Sequence, residues 1–243
     1  TVFYGWWIVL AAAIGLAVHA APILTFTFGV FLKSLSQEFS WSRTQISLAI
    51  TLVSLGVTLT SPFLGRLMDR RGARRVILPA VGLFGAGVLS LYFLSAHLWH
   101  FYAIFLFAGV VGGGTGPVAY SKVISQWFNQ KRGQALGLAM VGSSAGAFIM
   151  PSLAQALISS VGWRSAYVVL GLLTLGITLP VVGLFLTETP QMMGLEPDGE
   201  ARATATAAKK PGQESGLSSR EARHTATFWV LVITFGIASV GIA

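Results

Sequence analysis

Six stretches of this chain are long and apolar enough to cross a bilayer, and none of them contains an Asp or a Glu. They cover residues 6–32, 46–64, 76–94, 99–118, 133–158 and 166–186. A hydrocarbon core of about 30 Å takes about 20 apolar residues as a helix. A charge at its centre costs on the order of 2.5–3.5 kcal/mol on insertion scales. A seventh stretch begins near Phe228 and meets the end of the sequence at Ala243. Strands are not expected, because the stretches are too long and lack the ten-residue alternation of membrane barrels. Composition agrees: 54% of residues are hydrophobic and 10% charged, where a soluble domain carries about 25% charged residues. The Val18-His19-Ala20 tripeptide loosely resembles a signal-cleavage site. A signal peptide is not expected, since no basic residue precedes the stretch and apolarity continues past that point.

The net charge of +8 does not point to nucleic acid, because the basic residues sit in the gaps between spans. Thirteen of the sixteen fall on one side: Arg66, Arg70, Arg71, Arg74 and Arg75 after the second span, Lys122, Lys131 and Arg132 around the fourth gap, and five more after the sixth span. Only Lys33, Arg43 and Arg164 fall on the other side. The positive-inside rule then places the N-terminus in the cytoplasm, and a multi-pass protein of the inner (plasma) membrane is expected. The segment 187–225 carries six of the eight acids and an Ala/Thr/Lys/Pro/Gly-rich middle, which reads as a polar linker. The expected organisation is a six-helix bundle over 1–186, a cytoplasmic linker over 187–225, and the start of a seventh span over 226–243. That arrangement implies a second bundle beyond it. Cysteine is absent, so disulfide and thiolate sites are excluded. Neither a His-Glu-x-x-His nor a Gly-x-Ser-x-Gly occurs, so no catalytic residue, metal or cofactor is expected, and a membrane-bound enzyme lacks its polar cluster.

The strongest motif is Gly65-Arg66-Leu67-Met68-Asp69-Arg70-Arg71-Gly72-Ala73-Arg74-Arg75, between the second and third spans. Gly65 allows close helix approach and Gly72 a turn with positive φ. Asp69 is placed to pair with a neighbouring arginine or to face a helix N-terminus. The ordered pattern Gly-x-Leu-x-Asp-Arg-x-Gly-x-Arg-Arg resembles the signature loop of the major facilitator superfamily. That resemblance implies an all-α fold of two six-helix bundles, each built from 3+3 repeats, and makes Gly65, Asp69, Arg70, Gly72 and Arg74 conformational-switch residues. Three further stretches look like the monocarboxylate and oxalate–formate exchanger branch: Tyr4-Gly5-Trp6-Trp7-Ile8-Val9, Trp127-Phe128-Asn129-Gln130-Lys131-Arg132-Gly133-Gln134-Ala135-Leu136-Gly137, and Pro190-Gln191-Met192-Met193-Gly194-Leu195-Glu196-Pro197-Asp198-Gly199. The branch implies alternating-access transport of a mono- or dicarboxylate, as exchanger or symporter. A sensor that kept the transporter fold, or a carrier of another small solute, is the alternative. Two departures stand out. Phe26 falls near where animal monocarboxylate carriers have a lysine, and span five only approximates the Gly-Pro-x-x-Gly-Gly antiporter motif, at Gly142-Ser143-Ser144-Ala145-Gly146.

His19 is the one ionisable residue well inside a span, and such residues are functional candidates by default. Its alternative is a neutral histidine bonded to a neighbouring helix. Span four ends in a glycine cluster with Thr115 and Tyr120 beside it, which reads either as helix packing or as backbone exposed to a cavity. No strand precedes that cluster, so a dinucleotide loop is excluded. Lys122, at the end of the same span, reads chiefly as snorkelling toward headgroups, and otherwise as an attractor of anions. Gly112 and Gly116, with Gly133, Gly137, Gly142 and Gly146 of span five, are expected to serve close helix packing. Trp163 and Arg164 read as interfacial anchors. The expected partners are the bilayer, a small anion and a second bundle of the same protein.

Overall fold

A computed structural model describes residues 3–198, 225–230 and 234. Residues 199–224 of the expected linker, and most of the seventh stretch, lie outside the described residues. Nearly everything described is helical. One isolated bridge, between Phe128 and Asp198, is the sole β pairing among the described residues.

Span one is not one helix. Helix α1 (Gly5–Ala17) leads into a π-type turn (Ala21–Thr25) and then α2 (Phe28–Phe39). Pro22 cannot donate to an ordinary ladder, and the Thr27 hydroxyl donates to the Ile23 carbonyl at 2.5 Å. α2 ends at Ser40, the one non-glycine residue with positive φ among the described residues (56°). Helix α3 (Arg43–Arg71) opens on a capping box, with Ser42 Oγ accepting from Gln45 N–H and Gln45 Oε1 accepting from Ser42 N–H. Two orphan donors are thereby satisfied. Gly72, at φ 90°, ends it. Helix α4 (Arg74–Ser90) forms span three with a short 3₁₀ turn, Leu91–Phe93. Span four is α5 (Leu98–Gly112), a 3₁₀ turn (Gly113–Thr115) and α6 (Pro117–Trp127), with Pro117 at the first helical position. There its missing N–H costs nothing.

The last apolar stretch, Arg132–Phe185, is 54 residues long, or about 80 Å as straight helix. It cannot be one crossing. Helix α7 (Arg132–Leu173) bends at Gly162, whose φ of 83° is outside helical space. Spans five and six meet there, and span six continues through a π-type turn (Thr174–Thr178) into α8 (Leu179–Phe185). Among the described residues six crossings result.

Glycine decides how the spans pair. A methyl at Gly142 or Gly146 would run into the backbone of Ala13 or Ala17, so span five lies directly on span one. A methyl at Gly56 would meet the backbone at Gly109 and Val110, and one at Gly109 would meet Val53, so span two lies directly on span four. These two crossings correspond when spans 1–2–3 are matched to spans 4–5–6. So do the two interrupted spans, one and four, and so does the self-corresponding contact of span three with span six at Gly85, Gly171 and Leu175. The expected all-α fold of 3+3 repeats is therefore present. Apolar packing forms two layers. One centres on Phe31, Phe84, Phe101 and Tyr167, the other on Ile8, Tyr120, Trp127 and Phe128. Rings stack in the first, with Phe31 and Tyr167 centroids 3.9 Å apart.

Of the residues in the separate C-terminal unit, those at 226–230 are helical, and the Thr225 hydroxyl and carbonyl both accept from Phe228 N–H.

Candidate functional site

The interruptions in spans one and four face span two across a cavity of about 370 Å³. His19 and Thr25 line it from span one, Ser54, Thr58 and Ser61 from span two, and Gly112, Gly113 and Gly116 from span four. The span-two hydroxyls recur every three or four residues, which places them on one helix face. Two of the three, Thr58 and Ser61, have their hydrogens committed to their own helix. Thr58 Oγ1 donates to Ser54 O at 2.8 Å and Ser61 Oγ to Val57 O at 2.6 Å. The oxygens are therefore left to accept from a ligand.

His19 Nδ1 lies 2.6 Å from the Leu16 carbonyl. A carbonyl only accepts, so this geometry assigns the hydrogen to Nδ1 and leaves Nε2 with its lone pair. Nε2 has no hydrogen-bond partner among the described residues. No Asp, Glu, Lys or Arg lines the cavity. Its described half is thus a small apolar recess edged by acceptors, with one imidazole.

The other three residues expected along the path lie elsewhere. Thr115 is buried, and its hydroxyl donates to Gly112 O at 2.9 Å. Tyr120 is wholly buried with its ring over Gly15, and its hydroxyl has no partner among the described residues. Lys122 does not snorkel: its ammonium sits 2.5 Å from the Asp69 carboxylate. This also corrects the expectation for Asp69, whose partner is neither an arginine of its own loop nor a helix N-terminus. Asp69 is 72% exposed, and such pairs contribute little stability, about 0–1 kcal/mol. The pair fixes which ends of spans two and four sit together.

Within the loop expected to act as the switch, Gly65 borders the cavity with open space at its Cα. Gly72 N–H donates to Met68 O at 3.1 Å, closing α3. Arg74 Nη2 donates to Gly183 O of span six at 2.5 Å. Arg70 is exposed and has no bond among the described residues. Of the small face on span five, Gly142 and Gly146 pack closely. At Gly133 and Gly137 nothing lies within 4 Å of where a Cβ would stand, so that half of the face is open among the described residues.

A strap that sequence reasoning passed over ties these loops together. After α8 the chain folds back as residues 187–198. Thr187 O accepts from Trp127 Nε1 at 2.9 Å, and Glu188 Oε1 accepts from Ala73 N–H at 2.8 Å, with its carboxylate over Gly72. Asp198 accepts from the backbone N–H groups of Asn129, Gln130 (3.2 Å) and Lys131 (2.9 Å), in the turn that leads into α7. A carboxylate at a helix N-terminus is favourable both as a cap and against the dipole. The available signal was two acids, Glu188 in a segment read as linker and Asp198 in the 190–199 stretch read only for its family resemblance. Replacing Asp198 by alanine is expected to cost about 1–2 kcal/mol locally. Amide exchange at 129–131 should accelerate about tenfold. Unchanged exchange there would show that the strap does not anchor this loop.

A polytopic all-helical bundle, built from two three-helix repeats around an interrupted pair of spans and bearing a charged loop between spans two and three, is the architecture of a membrane carrier. Residues 5–243 match the family model of the Major Facilitator Superfamily, and the chain belongs to that superfamily. It is 28% identical over 182 residues to the membrane sensor protein UhpC of Salmonella typhimurium, covering 74% of this chain and 40% of the relative. It is 23% identical over 227 residues to the uncharacterized MFS-type transporter YhjX of Escherichia coli, covering 90% and 52%. To monocarboxylate transporter 11 of Mus musculus it is 29% identical over 178 residues, covering 72% and 39%. The chain thus spans between about two fifths and about half the length of these curated relatives.

Proposed function

We propose that this chain supplies one bundle of a secondary transporter that moves a small organic anion, a mono- or dicarboxylate, by alternating access. The bundle is residues 1–186, and residues 187–225 tether it to a second bundle that begins at 226. The observation that carries the reading is the recess between the interrupted spans one and four, next to the charged loop of span two. Midplane sites at broken helices, between bundles that rock against each other, are how such carriers work. The similarity to monocarboxylate transporters supports the substrate class. The excess of basic residues on the side of the switch loop supports a cytoplasmic N-terminus in a plasma (inner) membrane.

In this reading Nε2 of His19 takes up a proton from water as the anion binds and donates it to the carboxylate, the polar contact that this half offers the substrate. The span-two hydroxyls accept from any hydroxyl or acid proton it carries. The Asp69–Lys122 pair and the Gly65–Gly72 hinge form the switch.

The full-length protein in proteoliposomes is expected to exchange labelled monocarboxylate in counterflow. Asparagine at His19 can keep the bond to Leu16 O while removing Nε2. It is expected to weaken substrate affinity about ten- to a hundredfold, the range of one charge-assisted hydrogen bond. No carboxylate flux in the wild-type protein would sink the reading. Similarity to a membrane sensor protein favours a second reading, a receptor with the carrier fold. That reading predicts carboxylate binding without flux.

A further inference from the structure

On the face of α3 turned away from the recess runs a second groove, of about 430 Å³, between spans two, three and four. Its walls are Phe63 and Leu67 of α3 and Pro79 and Leu83 of α4, and Arg71 and Arg75 stand together at one end. Leu64 is the one residue shared with the recess, so α3 separates the two. Phe63 is 67% exposed and Leu83 49%. Apolar side chains this open face something other than water.

The groove's length and its charge narrow the occupant. On α3 its lining runs from Thr60 to Arg71, about 16 Å along a helix. That is about one leaflet of a 30 Å hydrocarbon core. Two guanidinium groups at the end of such a stretch, here those of Arg71 and Arg75, are expected where a leaflet meets its headgroups. Neither makes a hydrogen bond or ion pair among the described residues, whereas Arg74 beside them is spent on Gly183 O. Two free guanidinium groups above an apolar channel one acyl chain long match a lipid phosphate with its chain below.

We propose that this groove is a binding site for an anionic phospholipid, with the phosphate between Arg71 and Arg75 and one acyl chain lying along Phe63, Leu67, Pro79 and Leu83. The site is separate from the transport path and does not depend on the substrate assigned above.

Native mass spectrometry of the full-length protein tests it, with phosphatidylglycerol and phosphatidylcholine as probes. The wild-type protein should retain phosphatidylglycerol in preference to phosphatidylcholine. The double variant Arg71→Gln/Arg75→Gln should weaken that retention on the order of thirtyfold, about fivefold for each arginine near a headgroup. Arg66→Gln/Arg70→Gln removes the same charge from the same loop but outside the groove, and should leave retention unchanged. Equal losses in the two double variants would mean diffuse surface attraction and overturn the site. A second measurement needs no variant. Phosphatidylglycerol carrying a photoreactive group on its acyl chain should crosslink to residues 63–67 and 76–83 of the wild-type protein in bilayers. Crosslinks confined to other peptides, those of a second bundle included, would equally overturn it.

Discussion

Leucine at Gly142 is expected to prevent span five from seating on span one. Even the first carbon of a side chain there would overlap the Ala13 carbonyl and Cα, and Gly146 is in the same position against Ala17. Backbone atoms cannot rotate out of the way as a side-chain tip can, so the two helices must separate. Their separation opens the layer around Ile8, Leu16, Ala135 and Ala139, all fully buried. In a membrane the lost close packing is not replaced by a hydrophobic drive between helices. Overpacking of this kind costs about 3 kcal/mol or more. At roughly 2–4 °C per kcal/mol for a chain of this size, the thermal midpoint should fall by about 10 °C, with a smaller monodisperse fraction in detergent. Gly137→Leu is the internal control, because nothing lies within 4 Å of its Cβ position. It should leave the stability of this bundle unchanged. If Gly142→Leu melted like wild type, the backbone contact between spans one and five would be wrong.

Much of this architecture is legible in the sequence because the bilayer imposes a single strong rule. A helix must be apolar for about 20 residues, and spans two and three follow their apolar runs closely. The interruptions are harder to read. Span four announces its break with five glycines between Gly109 and Gly116, but the sequence does not say whether they pack or part. They do both: Gly109 lies on Val53 and Gly114 on Ala80, while Gly113 and Gly116 border the recess. Span one hides its break inside an unbroken apolar run. Its only local signs are Pro22 and a histidine whose own helix takes up one ring nitrogen.

Pairings across the sequence were the least visible. Asp69 is surrounded by arginines in the chain, yet successive helical residues point about 100° apart, and its partner Lys122 comes from another span. The hydroxyl stripe of Ser54, Thr58 and Ser61 could have been found from its three- and four-residue spacing. Without the fold, nothing distinguishes a stripe facing a cavity from one bonded to its own backbone. Glu188 and Asp198 were invisible for a different reason. Composition marks an acidic segment as linker, and only the return of the chain to Ala73 and Lys131 shows two carboxylates holding loop backbone.

Removing the Arg164 side chain is expected to loosen the opposite face of the bundle. The side chain joins three spans. Nη1 bonds the Glu38 carboxylate at the end of α2, while Nε donates to Tyr92 O at 3.2 Å and Nη2 to Leu94 O at 3.0 Å, at the end of span three. Trp163 Nε1 donates to the other Glu38 oxygen at 2.5 Å, and the guanidinium lies 4.3 Å from the Trp163 ring centroid. An interfacial anchor, the role expected from sequence, would need none of these partners. Both charged side chains are a third or more exposed, so water replaces part of what is lost. After that discount, Arg164→Ala should cost about 1–2 kcal/mol. Arg164→Lys should recover only part of it, because one ammonium cannot reach a carboxylate and two carbonyls at once. The pH dependence separates this clasp from simple loss of bulk. Partial burial works against the Glu38 charge, but the hydrogen bonds from Arg164 and Trp163 and the Arg164 charge outweigh it and hold the carboxyl below its ordinary range. A depressed pKa stabilises the folded state above the unfolded value, near about 4.3 for glutamate. That stabilisation disappears as pH falls through the lower folded value. Wild-type thermal midpoints should therefore drop between neutral pH and pH near 4 or below, and the drop should be smaller in Arg164→Ala. Equal acid sensitivity in the two proteins would show that Glu38 and Arg164 do not hold the three spans together.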